Sequence, residues 1–315
     1  MYKTYAKQKK AWGLVSAVVL ALAAPAFAAD EDRVKAKMIH DRLAGVPPSE
    51  AVLDAMETKI ANDPGNGVGL IEAAEIAMQN PAFYNVTLKN FATPWTNEEQ
   101  DVFAPLNDYT ATVIGMIRDR ETPDGVPFTE LLSGDILYVG DDTIPGVSDY
   151  SDSNNDHYED LEAQGVDLSD ANNLFKVTQS SRNGIPSSAT AGVMTSRAAS
   201  EAFFIAGTNR AMFRFTLLNH LCNDLEQVKD ITRTPDRIRQ DVSRSPGGDS
   251  RIFLNSCIGC HSGMDPLAQA YAYYDFDETS GRLVYTDGVV QQKYHINDGN
   301  FKPGYVTPDD RWDNY

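Results

Sequence analysis

The sequence predicts a mostly α-helical fold in which a helical N-terminal part packs on a C-terminal unit. Three observations lead there. Its 315 residues, 42% hydrophobic and 23% charged, are an ordinary globular mixture, long enough for one or two domains with a real core. From Asp30 to about Asp119 the apolar residues recur at helical spacing. Further on, a single short run, Arg282 to Tyr285 behind the turn-like Asp277–Gly281, reads as a strand.

Residues 1–28 read as an export signal. Lys3, Lys7, Lys9 and Lys10 supply a positive start, Leu14 to Leu22 a short apolar run, and Ala26-Phe27-Ala28 a small-residue cleavage site. The apolar run is well short of the roughly 20 residues that cross a bilayer. No later run reaches that length, so no transmembrane segment is expected after cleavage. An uncleaved signal anchor is the alternative. Removing residues 1–28 takes away four lysines and no acid, moving the formal charge from −18 to −22. A chain this acidic repels phosphate backbones, which argues against nucleic acid as a partner. The expected location is periplasmic or secreted.

Four helices are expected in the N-terminal part. Val34, Met38, Ile39 and Leu43 share one face, and Ala51, Leu53, Ala55, Met56 and Ile60 mark a second helix entered through Pro48-Ser49-Glu50. Leu70 to Met78 makes a third. A fourth is expected to start at Pro94–Glu99, capped by Asn97, and to carry Val102, Phe103, Leu106, Tyr109, Val113 and Met116. Asp141 to Asn172 holds ten acids and neither Lys nor Arg. Asp152, Asn154 and Asp156 suggest a calcium loop, but counting from Asp152 the sixth and twelfth positions are His157 and Ala163, not Gly and Glu. A solvated acidic loop is the better reading. Between Arg197 and Arg251 the balance reverses, with nine basic residues against seven acids. A long helix is expected from Ser200 to Asn223, with Ala211, Phe215, Leu218 and Cys222 on its apolar stripe and Arg210 and Arg214 one turn apart beside it.

Cys257-Ile258-Gly259-Cys260-His261 is the C-x-x-C-H sequence to which a c-type haem is attached. Two thiols two residues apart on a helical turn can reach the vinyl groups of adjacent pyrroles, and the next imidazole meets the iron as proximal ligand. One covalent haem c is therefore the expected cofactor, held by Cys257, Cys260 and His261, with His261 on the iron. Three other uses of the thiols stay open: a structural disulfide, a zinc site completed by scattered ligands, and a thioredoxin-like redox pair. The expected division is a signal peptide at 1–28, a helical region with the acidic loop at 29–180, and a haem-binding cytochrome c-like region at 181–315.

Around that motif, Arg251-Ile-Phe-Leu-Asn-Ser-Cys-Ile-Gly-Cys-His-Ser-Gly-Met-Asp-Pro-Leu267, running on to Tyr274-Asp275, resembles the haem-binding end of planctomycete-type cytochrome c proteins. Those are large exported proteins built from domains of unknown function. Gly192-Val193-Met194-Thr195 and Thr208-Asn209-Arg210-Ala211 resemble their central region, and Pro127–Leu132 an earlier segment. The resemblance spans roughly Pro127 to Gly288 and implies haem binding without naming a substrate.

The sixth iron ligand separates the functions. Met264, three residues after His261, lies on the proximal side and is expected to pack beneath the ring. His295, 34 residues after His261, is far enough away to loop over; Met194 and His220 are the other candidates, and an open position is a further possibility. Arg210 and Arg214 are candidates to pair with haem propionates, with a solvated helix face as the alternative. Tyr271, Tyr273, Tyr274 and Phe276 are expected to wall the haem, and Cys222 to be a small buried hydrophobe. The function expected is one-electron transfer by an exported monohaem cytochrome, with a basic redox partner protein drawn to the acidic surface. The alternatives are a haem enzyme of peroxidase or oxidase type, and an accessory subunit of an extracytoplasmic oxidative complex.

Overall fold

The computed structural model describes residues 31–123, 125–205, 207–229, 232, 250–295 and 309–311. The expected export signal lies outside them. The fold is mostly α, with four short strands among the described residues. None of the helices among these residues is long and apolar enough to cross a membrane. The chain divides into two compact units between Leu88 and Lys89.

The first unit contains α1 (residues 31–43), α2 (Glu50–Ala61), α3 (Val68–Met78) and a π-helical turn, Phe83–Leu88. Ser49 caps α2 as its position after Pro48 suggests, its side chain accepting from Val52 N at 3.4 Å. Ala36, Leu53, Met56, Ile60, Ala73 and Ala77 form the core, with Ile39 and Leu43 packed against it. Burying a side chain such as Met56 stabilises by roughly 1.5–3 kcal/mol. The face of α1 is rotated from the one expected: Val34 and Met38 are about half exposed, and the buried stripe runs through Ala36, His40 and Ala44.

The second unit opens with α4 (Lys89–Ala92) and a 3-10 turn, Thr93–Thr96, where the chain stops being helical. Asn97 does not cap a helix. Its side chain closes a loop, donating to Thr93 O and Asp101 O and accepting from Asp101 N at 2.8 Å. Pro105 forces the residue before it out of the helical region, so no helix runs through Val102–Leu106. Instead α5 (Asp108–Asp119) starts after Asn107, whose side chain accepts from Thr110 N at 3.0 Å. This helix is buried along most of its length; a Cβ on Gly115 would lie 2.1 Å from the Tyr138 ring, so only glycine fits there.

After α6 (Glu130–Ser133), β1 (Leu137–Gly140) pairs antiparallel with β2 (Leu174–Val177), Leu137 facing Val177. Between them lies the acidic segment. Its ten acids stay at least partly exposed, as expected, but it is not simply a loop. Asp156–Ala163 forms α7, anchored by buried His157, Tyr158 and Leu161. Three inward apolar or aromatic side chains at helical spacing outweigh the surrounding charge. Asp152 pairs with Arg282 at 3.0 Å.

Next come α8 (Ser180–Asn183), α9 (Arg197–Phe203), α10 (Arg210–His220) and α11 (Leu225–Val228). Residue 180, where the sequence suggests a division, lies on α8 inside the second unit. The single helix expected over Ser200–Asn223 is broken. Gly207 and Asn209 take left-handed conformations, φ +59° and +54°, which a right-handed helix cannot contain. The chain then runs through α12 (Ile258–Leu267) to a hairpin, β3 (Tyr274–Asp277) with β4 (Arg282–Tyr285), in which Asp277 faces Arg282. The predicted strand is β4; its partner β3 was not anticipated.

The start of α9 shows how the second unit is tied together. Asp108 is buried, and its carboxylate accepts from Arg197 N at 2.5 Å and Ala198 N at 3.0 Å; Ser196 accepts from Ala199 N at 3.2 Å. Together they satisfy the first amides of α9 from a neighbouring helix and its own cap. Asp108→Ala strands two buried amides and is expected to lose about 2–4 kcal/mol in urea denaturation, while exposed Asp142→Ala changes stability by less than about 0.5 kcal/mol.

Candidate functional site

Residues 250–271 form a helical stretch of changing pitch: a turn at Ser250–Ile252, a π turn at Phe253–Cys257, α12, and a 3-10 turn at Ala268–Tyr271. The π turn ends on Cys257, which stands at the N-cap of α12. Cys257 and Cys260 are therefore about one turn apart. Both are unbridged and partly exposed, and the Cys260 thiol faces the Leu225 carbonyl on α11 at 3.9 Å.

His261 follows directly, and α12 sets Asp265 one turn beyond it. His261 Nδ1 lies 3.0 Å from Asp265 Oδ1. Arg210, the first residue of α10, reaches the same oxygen with Nε at 2.7 Å, and its Nη2 lies 3.4 Å from Oδ2. The Asp265 side chain is only 2% exposed, against 19% for His261 and 25% for Arg210. Burial pushes the Asp265 carboxyl up, but the Arg210 charge and the His261 and Arg210 hydrogen bonds outweigh it and hold it below the ordinary value. An ionised carboxylate only accepts, so Nδ1 of His261 is the donor in this bond. The arrangement thus places two thiols and one imidazole within about one helical turn.

Asp265 was not singled out from the sequence. Its signal is the four-residue spacing from His261, which on a helix makes the two neighbours. Arg210 and Arg214, expected to meet propionates, both hold carboxylates of the chain itself. Arg214 forms a two-pronged pair with Asp224, both bonds 2.9 Å, and Asp224 also caps α11.

Met264 is buried with Phe213, Leu217 and Ala268, as packing material. Of the four aromatics expected to form a wall, Tyr271 alone joins this cluster. Tyr273 packs with Ala272 and Tyr294, Tyr274 stacks on Phe204 at 5.5 Å, and the Arg197 guanidinium lies over buried Phe276. Only Tyr274 and Phe276 lie on β3; Tyr271 ends the 3-10 turn and Tyr273 precedes the strand, so the four meet different neighbours. Cys222 is exposed rather than buried, because the chain has left α10 and turned through φ +52° at that residue.

Among the sixth-ligand candidates, His220 is engaged elsewhere. Its Nε2 lies 2.9 Å from the Tyr109 hydroxyl, and Trp95 meets its ring edge-on at 5.7 Å. Met194 sits partly buried in the turn before α9, and His295 partly buried after the 3-10 turn Gln292–Tyr294.

Desolvation in this aromatic surrounding pushes the His220 pKa down to about 4. The unfolded chain, with an ordinary His near 6.5, binds a proton first. Stability from this group is therefore complete above pH 6.5 and is lost as pH falls toward about 4. The expected loss is of order 2–3 kcal/mol. Urea midpoints at pH 7 and pH 4.5 should show His220→Gln losing less on acidification than the parent; equal losses would contradict the assignment. Comparison of the chain with protein-family models, with curated proteins and with solved structures found no match in any of the three.

Proposed function

We propose that the chain is an exported monohaem c-type cytochrome working in one-electron transfer. The observation that carries the reading is the placement of Cys257, Cys260 and His261 on one helical turn with the imidazole oriented through Nδ1 by a buried carboxylate. The residues fit a covalently held haem. Two unbridged thiols at the required spacing can form thioethers, and with Nδ1 held by Asp265 it is through Nε2 that His261 would bind iron. A ligating imidazole characteristically gives its second N–H to a carboxylate or carbonyl, and Asp265 fills that place.

The other uses of the thiols have less support. Among the described residues no three His, Cys, Asp or Glu side chains gather into a group able to hold a bare metal ion, so a zinc site finds no complete ligand set there. The two cysteines stand unbridged.

Bound at this turn, haem would supply an Fe(III)/Fe(II) couple. The chain's part is to fix it. Cys257 and Cys260 would hold it against loss, His261 would ligate the iron, and Phe213, Leu217, Met264 and Tyr271 give the helix a packed apolar backing that keeps the turn in place. His295 and Met194 remain the candidates for a further iron ligand. The strongly negative chain would draw a basic redox partner, at a rate that falls with ionic strength.

Intact mass measurement of the protein exported from a host with c-type maturation tests the reading. The processed chain should carry the added mass of one haem, and Cys257→Ala/Cys260→Ala should carry none. A parent chain of bare polypeptide mass would overturn it. Stopped-flow mixing of the reduced protein with carbon monoxide separates carrier from enzyme: slow or absent binding is expected, and rapid binding would favour the haem-enzyme alternative.

A further inference from the structure

We infer that Asp265 and Arg210 form an opposed pair of positioning residues that sets the electron-donating strength of His261, Asp265 strengthening it and Arg210 restraining it. The inference rests on the haem reading above and concerns how that site is tuned.

The geometry is specific. One oxygen, Asp265 Oδ1, is shared: it takes the imidazole Nδ1–H at 3.0 Å and the Arg210 Nε–H at 2.7 Å. A carboxylate that accepts Nδ1–H draws the proton toward itself and leaves more electron density on Nε2 than a neutral acceptor does. A better donor favours ferric over ferrous iron. Arg210 competes for the same lone pairs and carries a permanent positive charge nearby, so it works in the other direction. Burial strengthens both effects, since little water reaches Asp265 to screen them.

The pair is also held from outside. Asn209, immediately before Arg210, is fully buried and gives its side-chain N–H groups to Tyr271 O at 2.8 Å and Tyr274 O at 2.9 Å. The Tyr294 hydroxyl meets Thr208 O at 2.9 Å and Ala268 O at 2.8 Å. These bonds join the residues just before α10 to the chain just after α12, next to the ion pair in sequence. An ion pair serving only to hold two helices together has no need to share its oxygen with an imidazole, and a surface arginine has no need of this bracing.

The two roles predict opposite signs. In the haem-loaded protein, Asp265→Asn should raise the midpoint potential, with at least a tenfold shift of the ferric/ferrous equilibrium toward ferrous, about 59 mV for one electron. Arg210→Gln should lower it. Asp265→Glu, which keeps a carboxylate, should lie nearer the parent than Asp265→Asn. If Asp265→Asn fails to fold, the Arg210→Gln shift still decides the sign. Shifts in the same direction, or unchanged potentials in haem-bearing variants, would overturn this inference while leaving the haem reading intact. A parent protein without haem would overturn both.

Discussion

A carboxylate buried to within 2% of full enclosure is the constraint on which the candidate site depends. An isolated charge there would cost several kcal/mol, so Asp265 is tolerable only with its donors in place. One donor, His261, comes from its own helix. The other, Arg210, comes from α10, more than fifty positions earlier in the chain. The site therefore forms only when α10 and α12 meet in one register. The interruption at Phe204–Asn209 serves this: it ends α9, and the left-handed turn at Asn209 starts a new helix with Arg210 as its first residue.

Two histidines in the second unit show how surroundings decide what an imidazole can do. His220 lies against Trp95 with its Nε2 on the Tyr109 hydroxyl, and desolvation keeps it neutral. Its basic nitrogen is used up in holding the core. His261 is the reverse case, with Nδ1 tied to a carboxylate and Nε2 proposed to meet the iron. On that proposal, the partner of one ring nitrogen separates the packing histidine from the ligating one.

How much of this could be read beforehand depends on the range of the interaction. The mostly helical fold, the helix entry at Pro48-Ser49-Glu50 and the strand Arg282–Tyr285 were legible because each is local, resting on residues a few positions apart. The failures came where distant residues intervened. Asn97 has the chemistry of a cap, but its side chain closes a loop with Thr93 and Asp101 instead, and Pro105 disfavours helix just before it. The acidic segment looked like solvated loop because charge masked the buried stripe of His157, Tyr158 and Leu161. Asp265 was in view but without a role, and Arg210 had a role that did not include Asp265. Each needed the other's position, which no pattern within one segment supplies.

The most direct test of the account is iron-edge anomalous diffraction from crystals of the exported protein. The account predicts one iron peak within coordination distance of His261 Nε2, and density continuous from Cys257 and Cys260 into the porphyrin. An iron peak elsewhere, no iron peak at all, or a disulfide joining the two sulfurs would contradict it.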